Sequence, residues 1–398
     1  MADRSREKLT REDFNARRAV PRRHGAFRRA LTLVLVLAVV LAAVVVAAYG
    51  DLSNVDSLRR LLTYNKTSQE TAESAAYSYD SDRGNLFALL EDETLVVAGK
   101  TQLRVIGKGD NSIYSGSVAL ENPALAVGKH LAAVYEVGGT KLYILGAKGL
   151  VREMSEAADN AIISVSINAS DYMTVVTEKS GYKSALSVYN ASGDPVFTYN
   201  ASQYIVGAKC ERDCKHVVFT TVGEREGSFA STIHRYALDG EAQLSACTLS
   251  DALVLQVDSV GGTNAALADD RLALLKEDGS LAGTYYFSEP YLRGYALHGD
   301  DFVALNLSRY RSGSMGRIVT VGLDGAELAS LETRQDVVDI DACGKYLAVL
   351  YSDKLVVYTS DLTEYASLDD TRHAKNVLMR RDGTALLLGA AQARLFIP

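Results

Sequence analysis

The chain has 398 residues, enough to bury a large core, with 22 Tyr, no Trp, four Cys and a formal net charge of −7. The charge is unevenly spread: residues 1–29 hold ten Lys or Arg against four Asp or Glu, a balance of +6, so the remainder carries −13 (−7 minus +6). An acidic body of that size argues against nucleic acid as a partner.

After the basic tail (1–29) comes ALTLVLVLAVVLAAVVVAAY, residues 30–49, twenty positions without a charge. At 1.5 Å rise per residue such a helix spans roughly 30 Å, the thickness of a bilayer's hydrocarbon core. The stretch reads as a single transmembrane helix. A buried core helix rarely stays apolar on every face for so long. A cleaved signal peptide ending at Val46-Ala47-Ala48 is the alternative, although both the basic segment and the apolar run exceed ordinary signal-peptide lengths. Basic residues directly before the span place the N-terminus in the cytoplasm and everything after Gly50 outside. Residues 50–74 read as a short juxtamembrane helix, with Leu58, Leu61 and Leu62 at helical spacing, followed by the polar spacer TSQETAES.

From residue 75 to 398 the text changes to short apolar runs separated by turns. Gly109, Gly149, Gly193, Gly240, Gly279 and Gly325 each stand between two strand-like runs, at spacings of 40, 44, 47, 39 and 46 residues. Glycine suits the positive φ of hairpin turns, and recurrence near forty residues is the mark of a propeller or solenoid. Ahead of these turns lie eight strand pairs, from LVVAG/LRVI to ALLLG/RLFI. They fit the inner strands of propeller blades. The last pair reaches the C-terminus without an outer strand, and AAYSYD at 75–80 is the run available to supply one and close the ring. The expected fold is therefore an all-β propeller of eight blades, with seven as the alternative because the first and fifth blades are the least regular.

Histidine and cysteine carry little chemistry. His130, His216 and Tyr346 occupy one equivalent slot before a strand, which reads as a packing position, and no His has a partner at metal-ligand spacing. No metal or other cofactor is expected. Cys210 and Cys214 flank a three-residue turn and are candidates for a disulfide outside the membrane. Nucleophile motifs are absent, so no catalytic residue is assigned. The acidic pairs Asp269-Asp270, Asp300-Asp301 and Asp369-Asp370 read as turn residues rather than a glycosidase dyad.

Loop length is more telling. The connection within the strand pair is extended in blades 2 (EVGGT), 3 (EKSGYKS), 4 (GEREGSFAS) and 6 (SRYRSGSMG), and all these connections emerge on one face. Variable loops on a rigid scaffold are where binding resides. Gly181 and Tyr182 in blade 3, with Tyr291, Arg293, Arg309, Tyr310 and Arg311 around blade 6, form a Tyr and Arg concentration of the kind found at interfaces.

The order of basic tail, apolar span, LRRLLTYN, then NPALAV (122–127), GYKSALSVYNASG (181–193) and DACGKYLAVL (341–350) resembles an uncharacterised family of single-pass bacterial membrane proteins from Firmicutes, domain of unknown function 5711. The resemblance implies a cell-surface propeller without an assigned activity, so it supplies no catalytic residues. The chain departs from the family at Cys210 and Cys214, where an ordinary polar turn is usual. Quinoprotein repeats, sialidase Asp boxes and Trp-Asp repeats all rely on Trp, which is missing here. The leading expectation is a membrane-tethered extracytoplasmic binding or scaffolding module for a protein or cell-wall glycan. The alternatives are an envelope hydrolase with carboxylates at the propeller mouth, and a signalling protein acting through its basic tail.

Overall fold

The computed structural model describes residues 75–80, 84–90, 93–225, 227–240, 242–313 and 315–398. The basic tail, the apolar span and the juxtamembrane helix with its spacer all lie outside the described residues. Among the described residues no helix is long and apolar enough to cross a membrane.

Among the described residues thirty-two strands form eight four-stranded antiparallel sheets. Seven of the sheets are meanders in chain order, and the eight make the blades of a β-propeller. Blades 1 to 7 span residues 86–117, 123–155, 162–201, 204–250, 254–286, 291–333 and 337–369. Blade 8 takes its first three strands, Asn376–Met379, Ala385–Leu388 and Gln392–Phe396, from the C-terminus and its outer strand, Ala75–Ser78, from the other end of the described chain. The expected closure by residues 75–80 is therefore observed, and the ring has eight blades.

First strands of successive blades lie against one another and so surround the axis. The strand pairs recognisable in the sequence, expected as inner strands, are the second and third strands of each blade, and the channel-side first strand carries no comparable signal. The reason is burial. One apolar cluster fills each gap between neighbouring blades, eight in all. Middle strands are covered on both sheet faces and read as continuous apolar runs, as in Tyr346–Tyr351, where every residue is buried. First strands mix exposed and buried positions, as in Val337–Cys343, because they border the channel. Outer strands are mostly exposed, and in all eight blades their pairing with the third strand shifts register once. Such bulges raise the local twist, which a ring of radiating sheets requires.

In a four-stranded meander the turns alternate between two ends. The connections from second to third strand and from blade to blade share one end, here the loop face. Turns from first to second and from third to outer strand share the other, the turn face. The recurrent glycines sit on the turn face, where Gly193, at φ 80°, donates its N–H to Asn190 at 2.8 Å. The outer strand of blade 8 begins at the turn face, and the third strand, which precedes Pro398, ends there.

Closure is sealed by Tyr77 and Tyr79, both buried between blades 8 and 1. The Tyr77 hydroxyl donates to the Glu93 carbonyl at 2.7 Å, and Tyr79 to that of Gly389 at 3.0 Å. Across the same seam the Glu93 carboxylate is held by Arg380, and within blade 1 by Lys108 at 2.7 Å. Burial opposes its ionisation, but these two cations prevail and lower its pKa to about 2. Tyr79→Ala is expected to cost on the order of 3 kcal/mol in urea unfolding, as for other large buried rings. The loss should exceed that of an outer-strand exposed residue such as Leu328→Ala by well over half; equal losses would mean the seam does not hold the ring.

Candidate functional site

Seven aromatic side chains are exposed among the described residues. Six of them, Tyr182, Tyr204, Phe229, Tyr286, Tyr291 and Tyr310, stand at strand ends or loops of the loop face in blades 3 to 6, and Tyr295 borders the channel. The turn face instead exposes single aliphatics such as Val151, Val196, Leu244 and Leu328, each at the start of an outer strand. Isolated residues of that kind are ordinary surface, whereas a run of aromatics along one face marks an interaction site.

The most exposed is Phe229, at 74%. It stands on the longest hairpin among the described residues, the ten-residue strands His216–Arg225 and Ser228–Ala237, with Gly227 at φ 86° in the connection. The stretch GEREGSFAS, expected as an extended loop, thus mostly prolongs two strands. The first strand of blade 4 ends its pairing at Tyr204↔Val222 and the outer strand at Ala230↔Ser250, so the rungs Gly223↔Ala230, Glu224↔Phe229 and Arg225↔Ser228 extend past at least one neighbour. Three residues beyond Val222 amount to about 10 Å of projection. The arm has a stiff base: Phe219 stacks on His234 at 5.0 Å and on Tyr236 at 5.5 Å, and Tyr199 of blade 3 lies 5.1 Å from Phe219. Beside the arm, Lys183 lies 5.3 Å over the Tyr204 ring. On blade 5, Arg271 lies 4.9 Å over Tyr286 while gripping Asp270 with two hydrogen bonds of 2.7 Å.

The residues singled out in the sequence fall into two places on this face. Gly181 and Tyr182 tip the 178–183 loop of blade 3. Gly181 has φ 80° and open space where a side chain would be, so its glycine serves the turn closed by Tyr182 N–H to Lys179 O at 3.0 Å. Tyr182, half exposed, is the member free for contact. Tyr291, Arg293, Arg309, Tyr310 and Arg311 gather at one end of blade 6. Arg293 donates to the Arg311 carbonyl at 3.0 Å and fastens the 309–315 loop, while Arg309 reaches Glu289 at 3.5 Å. Phe229, Tyr204 and Tyr286 carry no repeat signature in the sequence; the signal available was an aromatic beside a turn in an otherwise polar stretch.

Elsewhere polar groups are engaged in holding the ring. Glu211 and Arg235 are both 9% exposed and share hydrogen bonds of 2.8 and 3.0 Å, and Asn264 of blade 5 donates to the same carboxylate at 2.8 Å. Donor atoms of Glu211, Asp213 and His216 converge within 4.8 Å. A cation there would have to displace the Arg235 guanidinium, so the cluster serves better as an ion-pair network than as a metal centre. The slot shared by His130 and His216 is not a packing position: His130 meets Asp171 at 2.7 Å and His216 meets Asp213 at 2.5 Å, whereas Tyr346 is wholly buried. The disulfide expected between Cys210 and Cys214 is not formed. Cys210 points into the core between blades 3 and 4, while Cys214, at φ 56°, turns its sulfur toward Asn168 at 3.5 Å. Of the acidic pairs, Asp270, Asp300 and Asp370 are bound by Arg271, Arg381 and Arg372.

The channel wall is polar. Lys209 meets Asp258 at 3.2 Å across blades 4 and 5. In blade 7, Asp339 and Asp341 accept the N–H groups of Val377 at 2.9 Å and Met379 at 2.7 Å, on the first strand of blade 8. Burial raises the Asp341 pKa to about 7 against the opposing Met379 N–H, with neighbouring Asp339 adding to the rise. Between the ordinary carboxylate range and about pH 7 the folded chain therefore holds a proton there that the unfolded chain lacks, so stability falls as pH rises through that window. The melting temperature is expected to drop by a few degrees from pH 5 to pH 8, and Asp341→Asn should flatten that slope; an unchanged slope would locate the proton elsewhere. Glu211→Gln leaves Arg235 buried and unbalanced, and is expected to cost about 3 kcal/mol or more in chemical denaturation.

A model of a family of unknown function, DUF5711, matches residues 63–384. No curated protein matches the chain. Among solved structures the C-terminal WD40 domain of Sif2 is similar with a TM-score of 0.58 and 13% identity, over 82% of this chain and 98% of that one. BamB from Moraxella catarrhalis gives 0.53 and 13%, over 81% and 99%. Dihydro-heme d1 dehydrogenase NirN gives 0.51 and 15%, over 73% and 67%. Likeness at these identities is one of fold, which hosts many unrelated functions. With the match running through nearly all of the propeller, the chain belongs to the DUF5711 family.

Proposed function

We propose that this protein is a single-pass, membrane-anchored binding module of the bacterial cell surface, in keeping with the Firmicutes resemblance, that holds a protein partner on the loop face of an extracytoplasmic propeller. The observation that carries the reading is the placement of the exposed aromatics relative to the chain ends. Six lie on the loop face, and the chain passes into the ring at Ala75 on the turn face. An anchor in the apolar span 30–49 would join the propeller through the strand that enters on the turn face, leaving the loop face clear of the point of attachment. The basic residues before that span support a cytoplasmic tail and an external propeller. Aromatic side chains offer large contact area with little rotamer entropy to lose, which suits them as anchors in a partner's pockets. The hydrolase alternative finds less support, because the acids bordering the channel are bound to Lys209 or to backbone N–H groups of the next blade.

Two measurements test this. A membrane-impermeant amine reagent applied to intact cells is expected to label exposed propeller lysines such as Lys148 and none in residues 1–29; labelling of the tail alone would reverse the orientation. A photocrosslinking residue at Phe229 is expected to capture a discrete protein, while the same residue at Leu244 on the turn face captures none. Capture from Leu244 and not from Phe229 would move the interface to the other face.

A further inference from the structure

Blade 6 ends on the loop face in a concentration of arginine. Arg293, Arg309, Arg311, Arg317 and Arg334 lie at that end, facing Glu289, Glu332 and Asp336. The last rung of the sheet, Tyr291↔Ser308↔Gly316↔Thr333, fixes their arrangement, since Arg309 and Arg311 follow Ser308, Arg317 follows Gly316 and Arg334 follows Thr333. Two of the five are paired, Arg309 with Glu289 at 3.5 Å and Arg317 with Glu332 at 3.4 Å. Arg293, Arg311 and Arg334 are exposed and have no carboxylate partner among the described residues. Several acids of the flanking blades on this face are already engaged: Asp270 by Arg271, Asp269 by the Leu253 N–H at 2.9 Å, and Asp353 by Gln335 at 3.4 Å. Tyr291, Tyr310 and Met315 are exposed within the same group.

This cluster runs against the charge of the rest, because residues 30–398 sum to −13. An acidic partner is repelled from most of such a body and attracted to this one place, which fixes orientation as well as affinity. Guanidinium groups bind carboxylates through paired, planar hydrogen bonds, and Tyr beside Arg is the composition of binding hot spots. We infer that the Arg293, Arg311 and Arg334 cluster, with Tyr291 and Tyr310, is a docking site for an acidic protein segment carrying interspersed apolar residues. The inference rests on the loop face being the binding face and names the chemistry it selects. The apolar arm at Phe229 and the basic end of blade 6 then read two different features of one partner.

The test uses the full-length protein in detergent micelles and fluorescence anisotropy of a short labelled peptide of repeating Glu-Asp-Leu-Glu. Its Gln-Asn-Leu-Gln counterpart and poly(glycerol phosphate) serve as competitors. The acidic peptide is expected to bind, more weakly as salt is raised, and the amide peptide not to compete. Arg311→Gln with Arg334→Gln should weaken binding about tenfold or more, as the loss of two charge-assisted contacts predicts. Because Arg293 is left in place to hold the 309–315 loop, that double variant keeps the local fold. Lys148→Gln with Lys276→Gln on the turn face should leave binding unchanged. Equal binding by the arginine variant, or competition by the amide peptide, overturns the inference. Tighter binding of poly(glycerol phosphate) than of the peptide overturns it too, in favour of an envelope polymer. If these results fail while Phe229 still crosslinks to a protein, the loop-face reading stands and only the acidic chemistry falls.

Discussion

The ring depends on pairing its first strand, Ala75–Ser78, with its last, Gln392–Phe396. Seven complete blades and a three-stranded eighth would leave part of the gap between blades 8 and 1 unfilled, and each apolar cluster here lies between blades rather than within one. The Ala75–Ser78 strand on Gln392–Phe396 removes that defect, and Tyr77 and Tyr79 fill the resulting gap. A contact formed between residues more than three hundred positions apart carries a large loop-closure cost, but that cost grows only logarithmically with length. One short strand therefore suffices, provided its side chains are large and its polar groups are met. The Tyr77 and Tyr79 hydroxyls and the Glu93 ion pairs meet that condition. The same closure puts the entry at Ala75 and the exit after Phe396 on the turn face, so the loop face is left clear by topology before any loop sequence is considered.

How much of this was legible follows from which surfaces each strand buries. Second and third strands are covered on both faces, so Tyr346–Tyr351 and Lys354–Thr359 read as unmistakable apolar runs. Turn glycines were legible for a separate reason: at Gly193 the backbone adopts a φ that other residues resist. The first strands escaped notice because a channel-facing strand such as Val337–Cys343 includes Asp339 and Asp341, whose carboxylates accept N–H groups of the next blade as well as of their own strand. No local pattern encodes a partner in another repeat. Gly181 looked special in one dimension and is explained by its turn, while Phe229 looked like loop and stands on a strand, because the pairing that extends it is set by the partner strand. The cysteine pair failed on direction: four positions apart, one side chain faces the core and the other a neighbouring blade's turn.

The candidate site divides differently. Tyr and Arg composition located blade 6 from the text alone, since several of its residues lie close in sequence. The wider aromatic face did not emerge, because Tyr182, Tyr204, Phe229 and Tyr286 come from three blades and are joined only by the alternation of turns between two ends of a meander. That alternation also separates them from the exposed aliphatics at outer-strand starts, which are dispersed over several blades.

A propeller offers two places to bind, the channel and a face, and the chemistry of this channel favours the face. The edge of each first strand has backbone groups that no fifth strand covers, and buried polar groups need partners. Side chains of the preceding blade supply them, as Asp339 and Asp341 do for blade 8 and Ser166 and Thr174 do for the Ala208 carbonyl of blade 4. A ligand drawing on those side chains would leave backbone groups unpaired at the seam and weaken the ring. Residues of the loop face carry no such duty: Tyr182 and Tyr310 project from turns and Phe229 from a paired strand, so contact with a partner disturbs nothing beneath them. Selection of a surface for binding is then a consequence of how the ring is held shut.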